Sequence, residues 1–497
     1  MKPKSAHELK ITRRNAIKGG VSVASLATLG TGTTGAFAQG ATSPAVAQPA
    51  TDAASQTTQL QLTPAEARSI AEEAYVFGFA IVEHYKALWA YGVEPKSPKY
   101  GGINKLRNEA QLYGPKDTAV VSANNDTIYT SGMIDLRTEP MVLQVPDIAD
   151  RYYSFMLVDM VTDNFAYVGS RATGTKAGAY ALTGPGWKGQ LPKGVTRIPS
   201  PSWIAFAIGR TGVSGDADLP NLRKVQAGYK LTPLSEYAGK PAPAAAPKID
   251  FPAIVDTKTA DAVTFIKYLN FLMQFEAFPA VEQPLLAKFA RIGIGPGKPF
   301  EPAMYSPDVM KAIEEGINAG REKVHKQADN LGTKVNGWDI SPPNAGEFGQ
   351  DYITRSAAAW KYIYVNSAVE AMYPTANVDG DGKQLDGSNG RYVLKFAKGA
   401  LPPVNFFWSL TLYDAKTQVP IENAINRYSI GDRTPGIVKA KDGSLTLYVQ
   451  ADKPAGKDAA NWLPAPKAPF YVILRAYGPK PELLNGTYKL APMTRVS

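Results

Sequence analysis

The chain has 497 residues with 54 Lys and Arg against 44 Asp and Glu, a formal charge of +10, three histidines and no cysteine. Disulfides, thiolate metal sites and cysteine nucleophiles are thereby excluded, and multi-histidine zinc or iron sites lack ligands. The length exceeds what one hydrophobic core covers, so at least two domains are expected.

Residues 1–38 read as an export signal. Thr12-Arg13-Arg14-Asn15-Ala16-Ile17-Lys18 opens a weakly apolar run that ends at Ala36-Phe37-Ala38. This is the pattern of a twin-arginine signal peptide, which hands an already folded chain to the twin-arginine export machinery. Its Gly, Ser and Thr make the run too polar for a membrane span. Cleavage after Ala38 would remove six basic residues and one acidic residue and leave a charge of +5. That dispersed remainder builds no basic stripe for nucleic acid, and no long apolar segment follows. A soluble periplasmic or secreted protein is expected.

Residues 39–62 are Ala, Thr, Gln, Ser and Pro with almost no large apolar side chain, a flexible tether. Thr63-Pro64-Ala65-Glu66 combines an N-cap, a proline at the first helical position and a glutamate at the third, so a helix starts there. Short alternating runs at 127–134, 141–145, 152–160, 179–182 and 203–208 read as antiparallel strands, making 63–238 a helix plus a first β-domain. GKPAPAAAPK marks a linker over 239–250. Helical spacing returns at 261–278, 306–327 and 353–372 within a helical region 251–372, and 373–497 is a second β-domain.

The two strand-rich regions repeat one another. Tyr152-Tyr153-Ser154-Phe155-Met156-Leu157-Val158-Asp159 aligns with Phe407-Trp408-Ser409-Leu410-Thr411-Leu412-Tyr413-Asp414, and the strands before and after each agree in order. The expected fold is multidomain α+β, mainly β: two related antiparallel β-sandwich-like domains with helical segments before and between them.

On Asn124-Asn125-Asp126-Thr127-Ile128-Tyr129, Arg151-Tyr152-Tyr153, Gly184-Pro185-Gly186-Trp187 and Gly209-Arg210, the N-terminal half resembles the domain of unknown function 1254. On Leu401-Pro402-Pro403, the 407–414 strand, Asn426-Arg427-Tyr428, Asn461-Trp462-Leu463-Pro464 and Arg475-Ala476-Tyr477, the C-terminal half resembles the domain of unknown function 1214. The resemblance implies a multidomain, often exported β-sandwich protein and no agreed activity.

Several residues could carry chemistry. Tyr153, Phe155, Leu157 and Asp159 share one strand face, so Asp159 ends an apolar face, either as an acid or base or held by Arg151 or Arg171. Asn124, Asn125 and Asp126 either turn the backbone or, with Tyr129, floor a polar pocket. Asp126 and Asp159 are then the candidate catalytic pair of a hydrolase. In the second domain, Ser409, Thr411 and Tyr413 share a face that, with Arg427, Trp462 and Arg475, either is simply solvated or forms a cleft for a polar or anionic ligand. Asn377, Asp379 and Asp381 match the first half of a calcium loop, but Ser388 stands where a bidentate glutamate belongs. No nucleophile elbow, P-loop or dinucleotide fingerprint occurs.

Two readings follow: a periplasmic enzyme that hydrolyses a polar small molecule or glycan with carboxylate assistance, or a non-catalytic ligand-binding or envelope-associated protein. Export in a folded state also suits a preassembled homo-oligomer.

Overall fold

The computed structural model describes residues 62–116 and 122–496; the export signal and nearly all of the expected tether lie outside the described residues. Helix α1, Pro64–Ala87, begins as expected. The Thr63 hydroxyl accepts the Glu66 amide while the Glu66 carboxylate accepts the Thr63 amide, a closed capping box. Burial covers 15 of its 24 residues, so the helix is apolar nearly all round and sits at the centre of a layer.

The first β-domain packs two sheets face to face. One has the order β1 (Arg107–Asn108), β2 (Thr127–Asp135), β8 (Ile204–Gly212), β4 (Tyr153–Val158), β5 (Asn164–Gly169). The other runs β7 (Val195–Pro199), β6 (Gly178–Thr183), β3 (Met141–Val145), β9 (Lys230–Pro233), with β6 and β7 parallel. Tyr153, Phe155 and Leu157 meet Met141, Leu143 and Leu182 between the sheets. Helix α2, Leu219–Ala227, leads from β8 to β9.

Both faces of β4 are buried, because Met156 and Val158 on its other face pack into the helical layer. That layer joins α1 to α3 (Ala262–Met273), α4 (Gln283–Ala290), α5 (Pro307–Asp329) and α6 (Tyr352–Lys361). The opening helix therefore packs with the later helical region, its aromatic residues Tyr75, Phe77 and Phe79 sharing one cluster with Phe265 and Phe289. Helix α6 stops at Lys361, well short of 372. Ile363 and Tyr364 take left-handed backbone conformations, φ 37° and 41°, which no helix continues through.

Apart from added strands at one edge of its larger sheet, the second β-domain repeats the strand order of the first. Strands β10 (Thr333–Val335) and β11 (Trp338–Ile340) extend a sheet in which β12 (Ala371–Met372) and β13 (Thr375–Ala376) pair with β19 (Phe470–Pro479), followed by β15 (Val404–Asp414) and β16 (Ser429–Gly431). Its partner sheet has the order β18 (Trp462–Pro464), β17 (Leu445–Gln450), β14 (Arg391–Phe396), β20 (Thr494–Val496). Only β17 and β18 are parallel there, as β6 and β7 are. A short helix α7, Pro481–Leu484, stands between β19 and β20 where α2 stands between β8 and β9.

Register fixes the equivalence residue by residue. Ser154 faces Arg210 on one side and Gly169 on the other; Ser409 faces Arg475 and Gly431. Both glycines allow the same close strand approach, since a Cβ on Gly169 would lie 2.6 Å from Ser154 Cα and one on Gly431 2.8 Å from Ser409 Cα. No helix among the described residues is long and apolar enough to cross a membrane.

Candidate functional site

The Ser154 and Ser409 faces of the two large sheets meet one another, and their polar contacts are reciprocal. Glu370 stands three residues before Tyr373 as Asp126 stands three before Tyr129, and their carbonyls accept equivalent amides, Gly478 at 2.9 Å and Val213 at 3.0 Å. Arg171 follows Gly169 by two residues as Arg433 follows Gly431. Across the interface Arg171 Nε pairs with Glu370 Oε2 at 2.5 Å, and Arg433 Nη2 lies 3.8 Å from Asp126 Oδ1. Glu370 also accepts the Tyr152 hydroxyl at 2.7 Å, and Asp126 the Ser409 hydroxyl at 2.5 Å. The equivalent rings Tyr152 and Phe407 touch edge to face, 5.7 Å apart.

Beside this contact lies a cavity of about 470 Å³. Each domain supplies it with one guanidinium and one phenol at matched positions: Arg210 opposite Tyr129 from the first, and Arg475 beside Tyr373 from the second. Tyr364 closes a wall, and exposed Lys361 stands at the rim. Arg210 is 7% exposed; its Nη1 donates to Asn366 Oδ1 at 3.3 Å and its guanidinium stacks over the Tyr129 ring at 5.5 Å. Arg475 is 3% exposed and donates to Thr411 Oγ1 and the Tyr413 hydroxyl, both at 2.8 Å, and to the Ser122 carbonyl at 3.0 Å. Among the described residues neither has a carboxylate within 4 Å.

Burial opposes both charges. Both groups nevertheless stay protonated, as a guanidinium does in a protein, with the phenol oxygens of Tyr373 and Tyr129 near Arg210 and those of Tyr413 and Tyr477, together with the Asp126 carboxylate, near Arg475. Burial pushes the phenols of Tyr364, Tyr373 and Tyr471 upward, leaving them as O–H donors at neutral pH. Behind Tyr364, the His84 Nδ1 lies 3.3 Å from the phenol oxygen; burial pulls this imidazole down to about 4, so it is neutral. Backbone strain gathers here too. Nine described non-glycine residues have positive φ, and four of them, Ser122, Ile363, Tyr364 and Gln418, line the cavity.

The candidate residues divide between this cavity and elsewhere. Asn124, Tyr129 and Arg475 line it; Asn377 reaches its edge; Ser409 and Tyr413 stand behind Arg475, Tyr413 donating to the Ala123 carbonyl at 2.6 Å. Arg171 and Asp126 each belong to an interface ion pair, with Glu370 and Arg433 respectively. Arg151 holds Asp218 with two short hydrogen bonds in a separate groove, and Tyr153 is core, its hydroxyl on the Gly174 carbonyl. Arg427 and Trp462 tie loops together through the Ala460, Trp462 and Gln450 carbonyls.

One expectation is corrected. Asp126 and Asp159 are not a catalytic pair: Asp126 precedes the strand end at Thr127, which lies level with Gly212, whereas Asp159 follows Val158, level with Phe206 and Met133. At about 3.3 Å per residue they are roughly 25 Å apart along the sheet. Asp159 instead accepts the Val161 and Asp163 amides at 3.0 and 2.8 Å, closing its own turn. The Asn377, Asp379, Asp381 loop has the hydrogen bonds of a turn. Asp379 Oδ1 accepts the Asp381 and Lys383 amides, Asp381 is exposed, and no cluster of three or more His, Asp or Glu among the described residues is arranged to hold a metal.

Arg210, Tyr364 and Tyr373 were not among the candidates. The repeat itself carried the signal: extending the serine-centred alignment to the closing strands places Arg210 on Arg475. Chemically, the cavity offers guanidinium and phenol donors; among the described residues its one lining carboxylate, Asp339, is held by Lys334 at 2.5 Å, and no imidazole lines it.

Comparison with known proteins agrees with this architecture. Residues 103–233 match the model of a protein family of unknown function, DUF1254, and residues 370–481 that of a second, DUF1214, in that order along the chain. The crystal structure of the VPA0106 protein from Vibrio parahaemolyticus is 26% identical, with a TM-score of 0.70 over 87% of this chain and 100% of that one. An uncharacterized protein from Burkholderia cenocepacia aligns at 11% identity and a TM-score of 0.41, over 89% of this chain and 99% of that one. No curated protein matches the chain.

Proposed function

We propose that this is an exported binding protein that takes a small organic anion into the cavity between its two β-domains, and that it works without hydrolysis. One observation carries the reading: at the cavity wall Arg210 is a buried guanidinium whose Nε and Nη2 have no hydrogen-bond partner, and which has no carboxylate within 4 Å, among the described residues. A buried charge is costly until something pairs with it, and a guanidinium fork suits a carboxylate or phosphate. Apolar Ile340, Ile363 and Ile473 beside the phenols suit a ligand with an organic body.

The test is calorimetric titration of the protein with benzoate, hexanoate and inorganic phosphate, with benzamide as the neutral control. At least one anion should bind while benzamide does not, and Arg210→Met should weaken that anion at least tenfold, about the worth of one charge-assisted hydrogen bond. Anions binding no better than benzamide would overturn the proposal. Export is tested separately: Arg13→Lys together with Arg14→Lys should hold the chain in the cytoplasm, and undiminished export would refute the twin-arginine route.

A further inference from the structure

Duplication placed four arginines at the interface between the β-domains, two from each copy. Arg171 and Arg433 each reach a carboxylate of the other domain, Glu370 and Asp126. Among the described residues Arg210 and Arg475 reach none within 4 Å, and both open on the same cavity. Their surroundings match, each cross-strand from a serine and each beside a tyrosine of the strand on its other flank. Asn366 links the two halves, accepting from Arg210 at 3.3 Å and donating to the Tyr373 hydroxyl at 2.5 Å.

From this the geometry points to a two-ended anion, a dicarboxylate lying across the approximate twofold relation with one carboxylate on each guanidinium. The inference rests on the anion-binding reading above and narrows it. A monoanion placed on Arg210 leaves Arg475 with neutral hydrogen-bond partners and only the more distant Asp126, itself beside Arg433, as a counter-charge; a dicarboxylate gives each buried cation a direct one. The two ends are not equal. Arg475 already donates to three oxygens, so only its Nε and one remaining Nη1 hydrogen are left for a ligand, whereas Arg210 presents its whole Nε and Nη2 edge. The Arg210 end anchors and the Arg475 end discriminates length and charge.

The experiment titrates the full chain with succinate, glutarate and adipate and with the monomethyl ester of each. One diacid should bind best, and its monoester should bind roughly ten- to hundredfold more weakly, the range expected on losing one hydrogen-bonded charge contact. Arg475→Met should lower the best diacid toward its monoester and so narrow the ratio between the two; Arg210→Met should weaken both. Because Arg475 also ties Thr411, Tyr413 and the Ser122 carbonyl, the diacid-to-monoester ratio on the unaltered protein is the measurement that does not depend on the variant folding. Monoesters binding as tightly as diacids would overturn the two-ended ligand and leave the anion site standing. No binding by either, nor by the monoanions tested above, would overturn both.

Discussion

Beneath the helical layer, four carboxyl groups, Asp159, Asp163, Glu276 and Glu282, face a single cation, Arg355. Arg355 is itself buried, donating to the Phe77 carbonyl at 3.0 Å and stacking between the Phe77 and Tyr352 rings. Glu276 accepts the Ser202 hydroxyl, and burial pushes its carboxyl up from 4.5 to about 7. A carboxyl raised on folding means the folded state binds the extra proton, so its cost is absent below pH 4.5, grows as pH rises from 4.5 to 7, and is complete above that. The gap corresponds to about 3 kcal/mol at pH 8. Glu276→Gln keeps an oxygen for Ser202 and removes the charge. The variant should therefore match the parent at pH 4.5 and exceed it by about 3 kcal/mol at pH 8, with part of any gain coming from relief of neighbouring Asp159, whose carboxyl burial and Glu276 both raise. Urea unfolding of both proteins at the two pH values measures the difference. An equal effect at both, or a loss at pH 8, would refute the reasoning.

The interface makes two further predictions. Arg171→Met leaves a fully buried Glu370 with the Tyr152 hydroxyl but without its close ion-pair partner and should cost about 3 kcal/mol, whereas Arg433→Met breaks a looser contact to an Asp126 that likewise keeps a hydroxyl, that of Ser409, and should cost about 1 kcal/mol; urea midpoints rank the two, and equal losses would deny that the ion pairs differ. Gly169→Ala and Gly431→Ala each force a Cβ into the neighbouring strand and should lower stability by similar amounts, about 1–3 kcal/mol; one tolerated and the other not would argue against equivalent registers.

What was legible in the sequence was local or repeated. The capping box at Thr63, the strand at Met141–Val145 and the alternation that puts Trp408, Leu410 and Leu412 inward all depend on neighbours a few residues away. The shared serine-centred strand showed the duplication because both copies retain its pattern. The site was legible only in part, since it depends on which outer faces meet. Nothing local distinguishes Asp126, which crosses to Ser409 and Arg433, from Asp159, which serves its own turn. Arg151 and Arg171 read alike until one finds Asp218 and the other Glu370.

Comparing the two copies separates packing from function. Ser154, Gly169 and Arg210 match Ser409, Gly431 and Arg475 in identity as well as register. The glycines are accounted for by strand approach, because any side chain there meets the adjoining backbone. No such reason covers the arginines. Elsewhere on the same faces the copies have diverged, Met156 standing where Thr411 does and Gly212 where Tyr477 does, and a neutral side chain at 210 would spare the fold a buried, unmatched charge. At Arg475 the hydrogen bonds to Thr411, Tyr413 and Ser122 give a structural return. At Arg210 the described partners are one amide oxygen, one thioether and a ring face, too little to offset desolvation of a guanidinium. An anion in the cavity, as proposed, would supply the counter-charge that this position lacks among the described residues.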